Sequence, residues 1–116
     1  MRSTREDELF GALAHRSRRQ MLDILLARPG ASVNEVAAHF EFSRIAAMKH
    51  LGVLVRAGLV LSEKHGRSRR LYFNSVPLQE IHQRWTDRYG ELFAAPMAAL
   101  KARLESGSAK ERTKRA

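Results

Sequence analysis

The sequence predicts a mainly α-helical fold with one small β-hairpin, and two observations support this class. Apolar residues recur at helical spacing over most of the 116 residues, and this spacing is lost near residues 59–73. Capping residues and Pro or Gly stops divide the helical part into short segments. The chain has no cysteine, which excludes disulfides, thiolate metal sites and thiol catalysis.

Two helices are expected within the first 30 residues. The apolar positions of residues 9–13 have helical spacing and follow three acidic residues, which predicts a first helix over about residues 5–14. The second helix is expected to take Ser17 as its N-cap and to end at Pro29-Gly30. Apolar side chains cover much of its circumference, which favours a central position in the fold.

Two more helices follow, separated by a short link. Ser32 and Glu35 have the spacing of a capping box, so a helix of about two turns is expected after Ser32. Ser43 can cap a fourth helix, which Gly58 ends. The apolar residues expected on the inner face of that helix are Ala47, Leu51, Leu54 and Val55.

The helical spacing of apolar residues then ends, and two short apolar runs flank a polar, glycine-containing segment. Residues 59–64 and 69–73 are predicted to form two strands joined by a turn at 65–68. Pro77 can occupy the first turn of a last helix. Pro96 is expected to kink that helix or to split it in two.

The order of four helices, a hairpin and a last helix is that of a winged helix-turn-helix, which we expect to occupy residues 1–105 as one domain. Residues 106–116 have no apolar side chain larger than Ala. Such a segment cannot offset the entropy of ordering, so it is predicted to be a disordered basic tail.

The net charge of +9 is unevenly distributed. Residues 9–30, 42–57, 58–76 and 106–116 each carry +3, whereas residues 77–105 are neutral. A basic excess indicates a polyanionic partner, nucleic acid first and an anionic membrane surface second. Because the cations cluster on the helix-turn-helix and the hairpin rather than beside an amphipathic helix, we expect nucleic acid and no membrane partner. A cytoplasmic location is expected, since the sequence has neither a long apolar run nor the pattern of a signal peptide.

The fourth helix is the predicted recognition helix. If Ala47 and Leu51 point inward, its basic face points outward and fits the major groove with N-terminal residues at the base edges. The residues expected to contact bases are Arg44, Ile45, Met48 and Lys49. Arg44 would pair with guanine, and the two apolar residues would touch a thymine methyl. The alternative is that these residues form an ordinary solvated helix face.

The hairpin carries four cations within seven residues. Like charges held close repel one another, and DNA phosphates are their natural counter-charge. The residues expected at the DNA backbone or minor groove are therefore Lys64, Arg67, Arg69 and Arg70. The capping residues Ser32 and Ser43 are also expected at the DNA backbone. The alternative is that the cations protect an edge hairpin against aggregation.

A homodimer is expected because the winged-helix body can cover only part of the apolar stripe on the last helix. The residues expected at the dimer interface are Leu9, Phe10, Leu13, Trp85, Tyr89, Leu92, Met97 and Leu100. A two-fold dimer would present recognition helices about 34–36 Å apart and so predicts an inverted-repeat operator. The alternative for Trp85, Tyr89 and Phe93 is a pocket for a small-molecule effector, which the sequence does not identify.

Four segments resemble a known family: L-F-G-A-L-A-H-R-S-R-R-Q-M-L-D-I-L, S-V-N-E-V-A-A-H-F, S-R-I-A-A-M-K-H-L-G-V-L-V-R-A-G-L-V and G-R-S-R-R-L-Y. They cover about residues 8–76 and are similar to the ArsR/SmtB family of bacterial winged-helix repressors. The resemblance implies a homodimer that binds an operator overlapping its own promoter. Many members of that family release DNA when a metal ion binds.

The resemblance also predicts where metal ligands would lie. The paired cysteines of the family's arsenic-type site correspond to Ser32 and Asn34 here. In its zinc-type site Glu80 and His82 have the spacing of the first two ligands, but the later positions fall on Phe93 and Pro96, which cannot bind zinc. We therefore expect a subgroup without metal ligands and without a cofactor.

An enzyme and an architectural or RNA-binding protein are the two other classes of function. The sequence has no Gly-rich phosphate loop and no spaced Ser–His–acid set, so it does not predict an enzyme. An architectural or RNA-binding winged helix is the alternative, although RNA readers usually expose aromatic residues and those here fall on predicted core stripes. The sequence predicts a sequence-specific regulator of double-stranded DNA, of the repressor type.

Overall fold

The computed structural model describes residues 4–86 and 90–115, with side chains described within 4–86 and 94–107. These residues divide after Pro77 into two compact units. The elements in chain order are α1 (Arg5–Leu13), α2 (Arg16–Ala27), α3 (Val33–Ala37), α4 (Arg44–Arg56), β1 (Val60–His65), β2 (Ser68–Phe73), α5 (Val76–Thr86) and α6 (Gly90–Arg115). Four helices, a hairpin and C-terminal helices confirm the predicted winged helix-turn-helix.

The core of the first unit lies where the helices meet the base of the hairpin. Its largest fully buried side chains are Met21, Leu25, Val36, Leu54, Leu59 and Val60. Ala47 and Leu51 are also buried, which confirms the inner face of α4. Val55 is 41% exposed, so its predicted place on that face is wrong. It lies about 100° around the helix from Leu54, at the edge of the buried stripe.

Serine caps begin both helices of the helix-turn-helix, as predicted. The Oγ of Ser32 accepts a hydrogen bond from the backbone N–H of Glu35 at 3.2 Å. The Oγ of Ser43 accepts one from the backbone N–H of Ala46 at 3.1 Å. These bonds satisfy helix-terminal donors that have no partner inside the helix, so they fix where α3 and α4 begin.

The start of α2 differs from the prediction. His15, rather than Ser17, is the N-cap, and its Nδ1 accepts the backbone N–H of Ser17 at 3.1 Å. The ring nitrogen offers the same acceptor that a serine oxygen would, one residue before the helix begins at Arg16. The helix therefore starts earlier than expected and follows α1 closely.

The hairpin is antiparallel and turns more tightly than predicted. The strands pair as far as His65 and Ser68, which leaves a two-residue turn with Gly66 at a φ of +60°. On the other edge of β2, Ala31 forms an isolated bridge with Leu71. The preceding Gly30 has a φ of +86°, a backbone conformation that favours glycine, and its N–H donates to the Leu71 carbonyl at 2.8 Å.

Two prolines lie in the C-terminal helices. Pro77 lies in the first turn of α5, as expected. Pro96 lies inside α6, which is described from Gly90 to Arg115, so the helix is not split at this proline and a kink remains the expectation. None of the helices in the described ranges is long and apolar enough to span a membrane.

The tail is described as part of a helix. Helix α6 continues to Arg115, beyond residue 105, where the sequence predicts the folded part to end. The tail has no proline and is rich in Ala, Lys, Glu and Arg, all of which are good helix formers. Extending an existing helix also needs no new nucleation, so a segment without large apolar side chains can still continue the helix before it.

Candidate nucleic-acid interface

The exposed face of α4 contains all four residues predicted to contact bases. Arg44, Ile45, Met48 and Lys49 are exposed, and Ile45 exposes 68% of its surface. The opposite side of the helix is fixed in the core by Ala47 and Leu51, so the direction of this face is fixed as well. Two cations and two apolar side chains therefore share one solvent-facing surface near the N-terminus of α4.

Arg44 is anchored at two points on this face. Its Nε donates to the Oδ1 of Asn34 in α3 at 2.6 Å. Its Nη1 donates to the Sδ of Met48, one turn further along α4, at 3.5 Å. No sequence pattern indicates this contact, because nine residues separate Asn34 from Arg44 and no periodic signal connects the two positions.

One face of the hairpin brings two cations directly together. Lys64 and Arg69 are paired across the strands, and residues paired in this way point to the same side of the sheet. The Nη1 of Arg69 donates to the Oγ of Ser62 on that same face at 3.1 Å. Directly opposed like charges are destabilising in a sheet, so this pair gains from an external anion.

The other face of the hairpin is electrically different. Glu63 is paired across the strands with Arg70, and its carboxylate lies 3.6 Å from the Nε2 of His65. Arg70 therefore has an acidic neighbour, unlike the Lys64–Arg69 pair. Arg67 lies in the exposed turn between the strands. The four cations predicted to contact the DNA backbone thus differ in their surroundings. Lys64 and Arg69 face each other, Arg67 lies in the turn, and Arg70 faces an acidic residue.

Two cations of α2 have a structural role that the charge distribution does not reveal. The Nε of Arg18 donates to the Ala12 carbonyl at 2.8 Å and its Nη2 to the Gly11 carbonyl at 3.1 Å. The Nη1 of Arg19 donates to the Leu13 carbonyl at 2.6 Å. The last turn of α1 contains no basic residue, so α2 supplies the cations that the carbonyls at this helix end favour.

His50 forms a hydrogen bond with Arg18 of α2. The Nη1 of Arg18 lies 3.3 Å from its Nδ1, and because a guanidinium only donates, this nitrogen is the acceptor. Burial lowers the pKa of His50 below 6.5, and the neighbouring His15 and Arg18 lower it further. The ring therefore favours its neutral form inside the helix-turn-helix.

Aromatic rings link this histidine to the turn between α3 and α4. The ring centroids of His15 and His50 are 4.5 Å apart, and those of His50 and Phe42 are 5.4 Å apart. Phe42 stacks on Phe40 at 4.7 Å. These two phenylalanines are partly buried and stack on each other, rather than forming an open platform for nucleic-acid bases.

The predicted dimer residues of α1 differ in their exposure. Leu9 is only 3% exposed within the single chain, so it offers little surface to a second copy, and its place in a dimer interface stays a prediction. Its side chain lies on the inner side of α1 and contributes to the core of its own chain. Leu13 is partly exposed and Phe10 is 43% exposed, so these two retain surface that a second copy could cover.

The predicted dimer residues of the C-terminal helices are exposed where the structure describes them. Trp85 is 58% exposed, Met97 is exposed and Leu100 is partly exposed. Tyr89 lies outside the described residues, and so does the side chain of Leu92. No residue of α5 is buried.

The described residues offer little for a metal or an enclosed ligand. Among the side chains described within residues 4–86 and 94–107, no three His, Asp or Glu are grouped so that they could hold a metal ion. Glu80 and His82 are both exposed on α5. An open cavity of about 240 Å³ lies beside α2 in the first unit. It is lined by Gln20, Asp23, Ile24, His39 and Phe40.

Comparisons with known proteins agree with this geometry. Residues 13–63 match a family model described as a helix-turn-helix domain. The chain is 35% identical over 88 residues to the HTH-type transcriptional regulator YuzN of Bacillus subtilis (strain 168), covering 71% of this chain and 96% of the relative.

Solved structures show the same similarity. An ArsR-like transcriptional regulator from Rhodococcus sp. RHA1 is 32% identical with a TM-score of 0.65, covering 88% of this chain and 92% of its own. A crystal structure of an ArsR family transcriptional regulator is 29% identical with a TM-score of 0.65, covering 80% of this chain and 96% of its own.

Proposed function

Because the chain belongs to the ArsR family of helix-turn-helix transcriptional regulators, we propose that it binds a specific double-stranded DNA operator as a homodimer and represses transcription there. The observation that carries the proposal is the exposed face of α4, on which Arg44 and Lys49 flank two exposed apolar side chains. A DNA-reading helix needs this combination of base-pairing donors and methyl-contacting surface near its N-terminus.

Direct readout is assigned to this face of α4. Arg44 offers guanidinium donors to guanine O6 and N7, a pairing that contributes about 1–3 kcal/mol of discrimination against other bases. Ile45 and Met48 offer apolar contact to a thymine methyl, and Lys49 offers a further donor. Both capping serines keep a hydroxyl proton after accepting their backbone bonds, and Ser32 and Ser43 would donate it to DNA phosphate oxygens.

Phosphate binding is assigned first to the paired cations of the hairpin. A phosphate placed against Lys64 and Arg69 relieves their mutual repulsion, so this pair gains more from DNA than Arg70, which already faces Glu63. Arg67 and Arg70 are expected to contribute at longer range. Such contacts fix the position of the protein on DNA but carry no sequence information.

A homodimer accounts for the exposed apolar side chains outside this interface. Phe10, Trp85 and Met97 each expose more surface than a single folded chain requires, and a second copy would cover them. A two-fold dimer would place two copies of α4 about 34–36 Å apart, on successive turns of an inverted-repeat operator. No inducer is assigned.

Fluorescence anisotropy over a salt series tests this function. The protein is titrated into DNA from upstream of its own gene and into a scrambled sequence of the same composition. We expect binding to the upstream DNA to be at least about 10³-fold tighter near physiological salt. Equal affinity for the two DNAs would contradict repression at an operator and favour an architectural role.

Two substitutions separate the two kinds of contact. Arg69→Ala should weaken binding to every sequence alike and lower the salt slope by about one unit for each bound subunit. Arg44→Ala should instead relax the preference at one base pair in each half-site. Lys101→Ala is the control, because this cation lies on α6 beside Glu105 and should leave the salt slope unchanged. Equal changes in salt slope and base preference for Arg69→Ala and Arg44→Ala would contradict the assignment of Arg69 to phosphate and Arg44 to a base.

A further inference from the structure

One side-chain hydrogen bond joins the two helices of the helix-turn-helix at the proposed base-reading position. The Nε of Arg44 in α4 donates to the Oδ1 of Asn34 in α3 at 2.6 Å, and the donor carries a charge, which strengthens such a bond. Both residues are exposed, so the bond does not serve to satisfy a buried polar group. An exposed arginine is held in one place instead of sampling many rotamers.

The donors that remain on Arg44 are those needed for a base. An arginine has five N–H donors, and here Asn34 accepts the one on Nε while Met48 accepts one on Nη1. The protons on Nη2 and the second proton on Nη1 remain, and they lie at the end of the guanidinium. Two parallel donors at this end are what a bidentate contact to guanine O6 and N7 requires.

We propose that Asn34 is a positioning residue that holds Arg44 in its base-reading conformation before DNA binds. The inference rests on the proposed function, because it concerns how Arg44 selects its base. Holding the side chain in advance lowers the ordering cost of binding, and it limits the guanidinium to one approach to the base edge. Specificity at that base pair therefore depends on a residue of α3 that does not itself touch the base.

The orientation of the Asn34 amide follows from its partner. A guanidinium has no acceptor, so the amide must present its oxygen to Arg44 and turn its NH₂ group away. Replacement by aspartate keeps an oxygen acceptor at this place, whereas replacement by alanine removes it. Alanine is also the better helix former, so Asn34→Ala is not expected to disrupt α3.

The first measurement uses the protein without DNA. In ¹⁵N-labelled protein the Nε–H resonance of Arg44 should be sharp and slow to exchange with water in the wild type and in Asn34→Asp. In Asn34→Ala it should broaden and exchange rapidly. Unchanged exchange in Asn34→Ala would overturn the positioning role whatever the protein does with DNA.

The second measurement is discrimination at the base pair that Arg44→Ala identifies. The ratio of Kd values for the altered and the intact operator should fall about three- to tenfold in Asn34→Ala, within the range of one bidentate pair. Asn34→Asp should keep the ratio while weakening binding to all DNA, because it adds a negative charge. Glu35→Gln, the adjacent exposed position of α3, is the matched control and should leave the ratio unchanged.

The double variant Asn34→Ala/Arg44→Ala separates positioning from direct contact. If Asn34 acts through Arg44, adding Asn34→Ala to Arg44→Ala should change neither Kd nor the discrimination ratio. A further loss in that background would mean that Asn34 contacts DNA itself and would overturn the inference. A wild-type protein without preference for its operator would contradict the proposed function, whereas a preference that Asn34→Ala leaves intact would overturn the positioning role alone.

Discussion

Replacing Arg18 by alanine is expected to destabilise the fold without reducing the electrostatic attraction to DNA. Its guanidinium donates to the carbonyls of Ala12 and Gly11 at the end of α1 and to the Nδ1 of His50 in α4. One side chain therefore ties α2 to both neighbouring helices. All three of its nitrogens are engaged in these bonds, which leaves it poorly placed to bind a phosphate.

The magnitude follows from these three bonds. A hydrogen bond from a charged donor contributes about 1.5–3 kcal/mol when buried, but this side chain is only partly buried and one of its bonds is exposed. We therefore expect a total loss of about 2–3 kcal/mol in the free energy of unfolding. For a domain of this size, a loss of that order lowers Tm by roughly 10–15 °C.

Urea denaturation followed by circular dichroism measures this loss. Arg16→Ala is the matched control, because Arg16 is an exposed cation at the start of the same helix and should change stability by no more than about 0.5 kcal/mol. The salt slope of DNA binding should be the same in both variants. The reasoning would be refuted if Arg18→Ala were as stable as Arg16→Ala, or if its salt slope fell by a full unit.

Four further outcomes are expected. Leu54→Ala, at a fully buried position of α4, should lower the free energy of unfolding by about 2–5 kcal/mol in urea, and a loss below 1 kcal/mol would contradict its place in the core. Ser43→Ala should lower it by about 1 kcal/mol, whereas Ser43→Asp should keep most of the cap. Gly30→Ala should cost about 1–2 kcal/mol because the φ of +86° is strained for any residue with a Cβ, and an unchanged Tm would contradict this. Folding lowers the pKa of His50 below 6.5, so the folded state binds the His50 proton less readily than the unfolded chain does. The stability that neutral His50 contributes is therefore complete above pH 6.5 and is lost as the pH falls through the folded pKa. Denaturation between pH 8 and 5 should therefore show a decline in stability that His50→Gln reduces, and equal slopes for the two proteins would contradict it.

Local signals allowed most of the first unit to be predicted. The serine caps of α3 and α4 and the stop at Gly58 depend on nearby backbone groups, so the residue type at one position indicates the boundary. The residue type does not indicate His15 as a cap, because a ring nitrogen is an uncommon acceptor at this position. Pro96 lies in the interior of α6, so local sequence alone does not decide whether a proline splits a helix.

Tertiary contacts account for what the sequence could not predict about the interface. The bond between Asn34 and Arg44 depends on how α3 and α4 cross, and the bonds of Arg18 depend on how α1 and α2 pack. The net charge of a segment does not distinguish Arg18 from Arg44, because each contributes one positive charge. Only the contacts distinguish a cation that holds two helices together from one that faces solvent.

In the hairpin, the sequence does not determine the strand register, and a shift of one residue changes which side chains face each other. Four cations within seven residues indicate phosphate binding, but the strand register decides which of them share a face. Had the strands shifted by one residue, a different pair of cations would have been opposed. The pairing of Lys64 with Arg69, and of Arg70 with Glu63, is therefore a result of the structure rather than of the composition.

A footprint on the DNA upstream of the protein's own gene tests most directly whether α4 reads a two-fold symmetric site. At about 0.15 M salt we expect one protected segment that contains an inverted repeat, with half-site centres about 10–10.5 base pairs apart or a multiple of that spacing. Arg44→Ala should lose this protection at protein concentrations where Lys101→Ala keeps it. Uniform protection of every DNA fragment at the same protein concentration would contradict sequence-specific reading by α4.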